Sequence, residues 1–321
     1  MKILITGADG LLGSNLCRIL LKQGHELNVL LHPNSKSNSL NQLEIRQFKG
    51  DILKPETLIE SMEGCDAVIH AAANTSVWPA RSAIVRKVNV EGTKNMVSAA
   101  ITAGVKRFVY IGSGSSVNSS GGPSKYRFAG EKFGLDYIDS KYDAMQYVFS
   151  KKEELSCVAI LPTFMVGAYD SLPSSGKLIQ TLAKGKLKFY SGGGRNFVHV
   201  KDVANAIANG LTMGGNGNWY IAGGTNLSYK AYFDKVAGIV NQPAPKIKMP
   251  NFLIKIAGNF GSLMGAITKK TPMITKQIAI ISCEDQFVDS SKTIEELKMP
   301  QTDIEIAITD CYQWFKENGY V

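Results

Sequence analysis

Three glycines that follow the first apolar run constrain this 321-residue chain more than any other feature. The run Lys2–Thr6 predicts a buried strand, and the glycines follow it at three-residue intervals. In an alternating α/β fold, the first glycine allows a tight turn, the second lets a ligand approach the backbone, and the third lets the helix pack closely. The N-terminus of that helix presents unpaired N–H groups, which bind phosphate. The spacing therefore predicts a dinucleotide pyrophosphate site formed by Gly7, Asp9, Gly10, Leu11 and Gly13.

Strand-like and helical patterns alternate through the first half of the chain. β-Branched runs predict strands over residues 2–6, 26–31, 45–49, 67–71, 108–111 and 157–161. Helical periodicity predicts helices over residues 11–23, 58–62, 86–103 and 137–149. Such alternation is typical of parallel βαβ units with right-handed crossovers. We therefore expect an α/β fold with a doubly wound parallel sheet of the Rossmann type.

After Pro162 the pattern changes to glycine-rich turns and short mixed elements. Residues 219–221 predict a strand that returns to the sheet, and helices are expected over residues 229–240, 251–266 and 304–318. We expect two units from this change of pattern. Residues 1–165 plus about 199–222 would form a dinucleotide-binding Rossmann domain, and residues 166–198 plus about 223–321 a smaller C-terminal α/β substrate lobe.

A tyrosine and a lysine four residues apart carry the catalytic signal. Tyr137 and Lys141 share one face of a predicted helix. A neighbouring ammonium lowers the pKa of a tyrosine, so that its hydroxyl can exchange a proton with a carbonyl oxygen. Ser113, after the preceding strand, can hydrogen-bond the same oxygen. Such a pair alone is common on solvated helix faces, but its position behind the glycine turn and the serine predicts hydride chemistry with a nicotinamide cofactor.

The end of the second predicted strand bears on which dinucleotide binds. An acid there would bind the ribose 2′-hydroxyl of NAD, whereas a base favours the 2′-phosphate of NADP. The segment after Leu31 has no acid and contains His32, Ser35 and Lys36. We expect NADP, with NAD as the alternative, because these residues also suit an ordinary polar loop.

Charge and composition argue against several other classes of protein. The formal net charge is +9, but the basic residues are scattered and their densest clusters are pairs, so nucleic acid is not an expected partner. Five cysteines without CxxC spacing and four separated histidines predict neither a disulfide framework nor a metal site. No apolar run reaches the length of a membrane span, and the first strand leaves no room for a signal peptide. We therefore expect a cytoplasmic protein that binds a small-molecule substrate and no membrane.

Taken in order, these motifs resemble the extended short-chain dehydrogenase/reductase family, of the NAD-dependent epimerase/dehydratase type. The likeness covers nearly the whole chain and is closest to dihydroflavonol-4-reductase-like members. The matching segments are the glycine turn, residues 50–52, 68–73 and 89–93, Ser113, Tyr137 with Lys141, and residues 162–163, 194–203 and 289–292.

The resemblance also implies which residues contact the cofactor and which contact the substrate. It implies that Lys141 bonds the nicotinamide ribose and that Asp51 and Ile52 lie at the adenine. The other implied cofactor contacts are Ala71, Ala72, Ala73, Ile111, Tyr137, Pro162 and Thr163. The implied substrate contacts are Asn74, Ser76, Trp78, Ser115, Phe164, Tyr169 and Arg195. Structural roles are expected for His70, Asn89, His199 and Asp202, and a homodimer through the helices flanking the sheet is also implied.

The chain departs from the family pattern at three positions. His32 stands where many relatives have a basic residue. Gly112 replaces a common serine, and Leu161 replaces an asparagine that contacts diphosphate in sugar-nucleotide epimerases, whereas Arg195 matches an arginine that binds nucleotide phosphate there. The preferred hypothesis is an NADP-dependent reductase of a small apolar or aromatic carbonyl compound, favoured by Leu161, Phe164, Met165 and the apolar segment 251–267. A sugar-nucleotide epimerase or dehydratase is the alternative. A non-catalytic dinucleotide sensor or RNA-binding protein ranks last, because tyrosine and lysine are both present.

Overall fold

A computed structural model of the chain describes residues 1–35, 38–118, 127–128 and 133–321. The strands are β1 (Lys2–Thr6), β2 (Glu26–Leu31), β3 (Arg46–Lys49), β4 (Ala67–His70), β5 (Arg107–Ile111), β6 (Val117–Asn118), β7 (Arg127–Phe128), β8 (Ser156–Pro162), β9 (Phe164–Val166), β10 (Phe189–Tyr190), β11 (Gly194–His199), β12 (Asn218–Ala222), β13 (Thr225–Ser228), β14 (Ile247–Lys248) and β15 (Asp285–Gln286).

The helices are α1 (Leu11–Lys22), α2 (Ile59–Met62), α3 (Ala83–Arg86), α4 (Gly92–Thr102), α5 (Asp136–Ser150), α6 (Lys177–Ala183), α7 (Val200–Asn209), α8 (Tyr229–Val240), α9 (Asn251–Thr268), α10 (Lys276–Ser282), α11 (Ser291–Glu296) and α12 (Ile304–Glu317). A π-helical segment, Lys87–Glu91, joins α3 to α4, so the predicted helix over residues 86–103 is composite. Single 3₁₀ turns lie at Pro55–Thr57 and Gly114–Ser116.

The central sheet confirms the predicted doubly wound fold. Among the described residues it has seven strands, all parallel, in the order β12-β8-β5-β4-β1-β2-β3. The chain runs outward from β1 to β3 and then returns to place β4 on the other side of β1. This reversal creates the crevice at which doubly wound sheets bind their ligands. The predicted strands of this sheet agree with the observed ones to within one residue at each end.

Two hydrophobic cores cover the two faces of the central sheet. Because side chains alternate along a strand, Ile3 and Ile5 face one side and Leu4 the other. Ile3 and Ile5 pack with α1 and α7, whereas Leu4 packs with α4 and α5. Helices therefore flank both faces, as a fully buried parallel sheet requires.

A smaller sheet lies outside the central one. In it β11 pairs in parallel with β9 and β15 and antiparallel with β13. This sheet packs with α6, α8 and α12 around a separate core, in which the rings of Phe197 and Tyr232 stack at 3.9 Å. The division of the chain into two domains at the predicted boundaries stays a prediction.

The residues expected to join the two units contact the C-terminal segment. The Asp202 carboxylate accepts hydrogen bonds from the backbone N–H and the hydroxyl of Thr302, each at 2.7 Å. His199 Nε2 lies 3.4 Å from a carboxylate oxygen of Asp310. Both side chains are buried, and both have the structural contacts that the sequence predicts.

The cysteines, the possible metal ligands and the longest helices of the described residues bear on the expectations from composition. All five cysteines are free thiols. The described ranges hold no group of three His, Cys, Asp or Glu side chains placed to bind a metal ion. Within the same ranges, no helix is long and apolar enough to cross a membrane. The cytoplasmic location stays a prediction.

Candidate active site

A cavity of about 1190 Å³ runs along the carboxyl edge of the central sheet. It extends from the glycine turn after β1 past the ends of β4, β5 and β8, across the reversal of strand order. The predicted site residues that line it are Gly7, Asp9, Gly10, Leu11, Gly13, His32, Asp51, Ile52, Ala71, Ala72, Ala73, Asn74, Ile111, Ser113, Ser115, Tyr137, Lys141, Pro162, Thr163, Phe164 and Arg195.

Each of the three positions in the turn requires glycine for a different physical reason. Gly7 has a φ of +69°, and a Cβ there would lie 2.7 Å from the Ala72 nitrogen. A Cβ on Gly13 would lie 2.1 Å from the Gly7 carbonyl oxygen, so this glycine lets α1 pack against the turn. A Cβ on Gly10 would meet only the Gly7 oxygen, at an ordinary 3.6 Å. The protein itself therefore needs Gly7 and Gly13, whereas Gly10 leaves a space that opens into the cavity.

The start of α1 can receive an anion beside that space. No side chain caps the helix at Gly10, and its first turn contains no acid. The first N–H groups of a helix have no partner within it and carry a partial positive charge. The space at Gly10 and these N–H groups together fit a dinucleotide pyrophosphate.

The predicted catalytic residues meet at the other end of the cavity. Ser113 follows β5, and Tyr137 lies in the first turn of α5. The Ser113 hydroxyl forms a hydrogen bond with Tyr137 and accepts another from the Ser115 N–H at 3.3 Å. The ammonium group of Lys141, one turn further along α5, donates to the Ile111 carbonyl oxygen.

The chain matches a family model over residues 3–223, that of the NAD dependent epimerase/dehydratase family. The chain belongs to this family. It is 30% identical to a putative dihydroflavonol 4-reductase from Synechocystis sp., over 99% of this chain and 95% of that protein. It is 31% identical to a 2-alkyl-3-oxoalkanoate reductase from Stenotrophomonas maltophilia, over 80% of this chain and 76% of that protein.

Solved structures agree with this assignment at the level of fold. A UDP-glucose 4-epimerase from Thermus thermophilus, in complex with NAD, matches with a TM-score of 0.77 and 19% identity, over 98% of this chain and 99% of that one. The chain is therefore an extended short-chain dehydrogenase/reductase that uses a nicotinamide dinucleotide and acts on a small molecule.

The acid–base properties of the tyrosine and lysine correct one expectation. Burial raises the pKa of Tyr137, and the hydrogen bond with Ser113 only partly offsets this rise. Burial also lowers the pKa of Lys141 to about 7, so that this side chain is only partly an ammonium at neutral pH. The expected lowering of the Tyr137 pKa by Lys141 is therefore not observed: burial raises this pKa, and the hydrogen bond with Ser113 is the contact that opposes the rise.

Two buried polar residues hold this family's active-site segments in place. Asn89 accepts a hydrogen bond from the Asn74 N–H at 2.7 Å and donates one to the Ser140 hydroxyl at 2.9 Å. It thus ties the loop after β4 to the helix that carries Tyr137. The ring nitrogens of His70 lie 2.8 Å from the Thr6 hydroxyl and 3.1 Å from the Thr93 hydroxyl. Burial lowers the pKa of His70 to about 3, which fits the expected structural role.

The residues after β2 were expected to contact the 2′-phosphate of NADP, and the structure places them differently. His32 is exposed and lines the cavity. Ser35 does not line the cavity, and its hydroxyl donates a hydrogen bond to the Asp9 carboxylate. Lys36 lies outside the described residues. The glycine turn thus supplies the carboxylate that the end of β2 lacks, which weakens the argument for NADP from the strand end alone.

Three predicted substrate contacts do not line the cavity. Ser76 is exposed and donates a hydrogen bond to the Trp78 carbonyl oxygen at 2.7 Å. Trp78 packs on α9, where a Cβ at Gly265 would lie 2.7 Å from its ring. Tyr169 lines a separate depression, with the Arg18 guanidinium 3.6 Å from its ring centroid. The structure thus gives these three residues contacts that differ from the implied ones.

The apolar wall of the cavity comes partly from segments that the sequence did not indicate. Segment 251–267 and Leu161 were expected at an apolar substrate, but neither lines the cavity. Short helix α10 contributes Ile278 and Ile281 instead. Their three-residue spacing behind the capping residue Thr275 is a usable signal for one apolar helix face. The other apolar lining residues that the sequence did not predict are Leu12, Leu30, Leu53, Val77, Ile84, Val88, Leu135, Ile138 and Leu172.

The departures from the family pattern at positions 112 and 161 belong to one contact in the structure. A Cβ on Gly112 would lie 2.2 Å from a terminal carbon of Leu161. Leu161 is fully buried, so it occupies the room that a side chain at position 112 would need. The absence of a serine at 112 therefore follows from the leucine at 161.

Arg195 lines the cavity but is already engaged by its neighbours. Its Nε donates to the Tyr229 hydroxyl at 2.7 Å, and its guanidinium lies 5.2 Å from the centroid of the Phe164 ring. These contacts orient the side chain and leave its terminal amino groups as the polar donors that can meet a ligand.

Proposed function

We propose that this enzyme is an NADP-dependent reductase of a small, apolar carbonyl compound, with Tyr137 as the proton donor. The observation that carries the proposal is the apolar wall that shares the cavity with Tyr137. It is formed by Val77, Ile84, Phe164, Met165, Leu172, Ile278 and Ile281. Ligand sites with mostly apolar walls and a few convergent polar groups orient an apolar substrate by those polar groups.

Different residues along the cavity would bind different parts of the cofactor. The glycine turn and the start of α1 would hold the pyrophosphate, Asp51 and Ile52 the adenine, and Lys141 the nicotinamide ribose. When bound, the nicotinamide supplies the hydride that reaches the carbonyl carbon. The exposed His32 supports a 2′-phosphate at the end of β2, and the carboxylate of Asp9 opposes it.

The protein's own part in the reaction is to place and stabilise charge at the carbonyl oxygen. Tyr137 donates its proton to this oxygen, while the Ser113 hydroxyl hydrogen-bonds the same atom. The tyrosine is left as a phenolate, which the ammonium form of Lys141 stabilises. Ser113 and Tyr137 are already hydrogen-bonded, so little rearrangement is needed to bring both groups to one oxygen.

The name of one relative agrees with this substrate class. The Stenotrophomonas protein is a 2-alkyl-3-oxoalkanoate reductase, and the name of its substrate describes a keto group between alkyl-bearing carbons. The same chemistry suits the apolar side chains that line the cavity of this chain beside Tyr137.

The test is reduced-cofactor oxidation by the purified chain with 3-oxo compounds of increasing alkyl length. We expect kcat/KM to rise about fourfold for each buried methylene until the cavity is filled. NADPH is expected to be used more efficiently than NADH. Failure of both cofactors with every ketone and aldehyde offered would contradict the proposal, and faster turnover with NADH would contradict its cofactor.

A sugar-nucleotide epimerase is the second candidate, because Arg195 reaches the cavity. Thermal stabilisation by UDP-glucose that is lost in Arg195→Gln would favour it. Under the reductase proposal, Arg195→Gln changes kcat/KM for an apolar ketone less than about tenfold, since no substrate phosphate needs neutralising. A non-catalytic sensor gains no support from a cavity that brings Ser113, Tyr137 and Lys141 together.

A further inference from the structure

Helix α9 exposes apolar side chains along most of its length. Six of them lie on one side of the helix and are between 41% and 67% exposed. At 100° per residue they fall within about one third of the helix circumference. We call this surface the α9 face, and it consists of Phe252, Leu253, Ile256, Phe260, Leu263 and Ile267.

The opposite side of α9 is firmly packed on the protein. Gly258 is buried where a Cβ would lie 2.4 Å from the Ala279 side chain, and Gly265 is buried against Trp78. These small residues bring α9 close to α10. The helix is therefore held in place by one side, while the larger apolar residues point away from the protein. A helix that is apolar on all sides is normally buried on all sides.

The segment that contains α9 carries charge of one sign. The sequence has no Asp or Glu between Lys235 and Cys283. Over the same stretch it carries Lys246, Lys248, Lys255, Lys269, Lys270 and Lys276. Lys248 lies at the N-terminal end of α9, close to Gly192 and Asn251, and Lys269 follows its last residue. A large apolar face on a segment whose charged residues are all lysines has the composition of helices that lie in the surface of an anionic membrane.

Helix α9 is separated from the cavity by a single helix. Helix α10 lies between α9 and the cavity, which its Ile278 and Ile281 line. Trp78, which packs on α9, directly follows the cavity residue Val77. At the cavity itself, Leu172 is 83% exposed.

We propose that the α9 face docks on the surface of an anionic lipid bilayer. The six apolar side chains enter the boundary between headgroups and acyl chains, and the surrounding lysines contact the anionic headgroups. The helix lies in the membrane surface and does not cross it, in agreement with the absence of a spanning helix from the described residues. This docking replaces the expectation that no membrane is a partner, and it does not depend on the proposed reduction.

The experiment is co-sedimentation of the full chain with vesicles, without cofactor or substrate. Vesicles of phosphatidylcholine alone are compared with vesicles that also contain phosphatidylglycerol. We expect binding to the anionic vesicles that weakens as salt is raised. Ile256→Gln combined with Leu263→Gln is expected to reduce the partition coefficient about tenfold or more. The matched control is Ile59→Gln combined with Ile306→Gln, two exposed isoleucines on other helices, which is expected to bind as the unmodified chain does.

The lysines are tested by charge reversal. Lys269→Glu combined with Lys270→Glu is expected to weaken binding to anionic vesicles about thirtyfold or more, because two attractive charges are lost and two repulsive charges are gained. Lys22→Glu combined with Lys106→Glu gives the same change in net charge elsewhere and is expected to leave most binding intact. Circular dichroism and thermal unfolding of each variant check that the fold is retained.

Several results would overturn the proposal. One is the absence of vesicle binding by the unmodified chain, and another is equal loss in the α9 variants and their controls. A second copy of the chain is the competing occupant of the α9 face. Light scattering that shows a dimer, which Ile256→Gln with Leu263→Gln converts to a monomer while vesicle binding is absent, would assign the face to that copy.

Discussion

The two ends of the cavity are built in different ways. At the cofactor end the backbone makes the site, through the turn at Gly7, the close packing at Gly13 and the free N–H groups at the start of α1. At the substrate end side chains make the site, and they come from segments as far apart in the chain as Val77 and Ile281. Backbone geometry tolerates few replacements, whereas an apolar wall can be rebuilt from many combinations of side chains. The cofactor end therefore identifies the family, and the substrate end distinguishes its members.

Tyr137 lies where the two ends meet, and its removal should have the largest effect. Tyr137→Phe keeps the ring but has no proton to donate, so kcat is expected to fall about 10²- to 10⁴-fold. The dissociation constant of the dinucleotide, measured by fluorescence titration, is expected to stay within about threefold, because the proposed pyrophosphate contacts are at the other end of the cavity.

The control is Tyr147→Phe, which removes a hydroxyl from the same helix at a residue that does not line the cavity. We expect this variant to keep its full kcat. If Tyr137→Phe retained most of the turnover, the proton would come from elsewhere, and the proposed junction of the two ends would be wrong.

A second prediction concerns the cofactor end, where the backbone forms the site. It compares two glycines that lie three residues apart in the turn. Gly13→Ala places a Cβ 2.1 Å from a backbone oxygen, which cannot move aside as a side chain could. We expect it to lower the free energy of unfolding by about 3 kcal/mol. Gly10→Ala meets no such contact, so stability is expected to change by less than about 0.5 kcal/mol while dinucleotide affinity falls about tenfold or more.

Urea unfolding without cofactor measures the first effect, and titration with the dinucleotide measures the second. The two variants are controls for each other, because both add one methyl group to the same turn. Equal stability of the two would contradict the separate roles assigned to these glycines.

Lys141 gives a prediction for pH. Burial holds its pKa at about 7 in the folded protein, against the ordinary value of 10.5. Between these values the unfolded chain binds a proton that the folded protein does not, so stability rises with pH over that range. Below pH 7 both states bind the proton, and the cost of the buried ammonium is fully present. From pH 7 to 9 we expect a gain on the order of 2 kcal/mol relative to Lys141→Met.

Urea unfolding of both proteins without cofactor, at a series of pH values, isolates this gain. Other titrating groups contribute equally to the two proteins and cancel in the difference. Parallel curves would show that Lys141 is not desolvated at the junction of the two ends, and that the ammonium is solvated there.

The sequence was sufficient for features that depend on neighbours along the chain. The strands of the central sheet, the turn at Gly7 and Gly13 and the face shared by Tyr137 and Lys141 all follow from local spacing. Ser113 could also be located, because it lies two residues after the end of a strand, and parallel strands bring their carboxyl ends to one edge. These features are local, and each has a steric or hydrogen-bonding cause that one segment contains.

The sequence was insufficient where two distant segments decide the outcome. Tyr169 has a φ of +70° and packs under Arg18, a contact that no local pattern indicates. The apolar segment 251–267 could be recognised as a helix, but its own pattern does not indicate that α10 separates it from the cavity. The hydrogen bond between Ser35 and Asp9 joins two loops, so the charge at the end of β2 could not be read from that strand alone.

The smallest predicted effect concerns the contact between Gly112 and Leu161, near the junction of the two ends. Gly112→Ser alone is expected to destabilise the fold by about 1–2 kcal/mol, because its Cβ would lie 2.2 Å from Leu161. In Leu161→Ala the serine side chain gains room, so the double variant should be more stable than the sum of the single effects by about 1 kcal/mol. Gly238→Ser, on α8 with open space around its Cβ, should instead add independently to Leu161→Ala. Urea unfolding of these variants measures the coupling. If the free-energy changes of Gly112→Ser and Leu161→Ala simply added in the double variant, the two positions would not be coupled as the contact indicates.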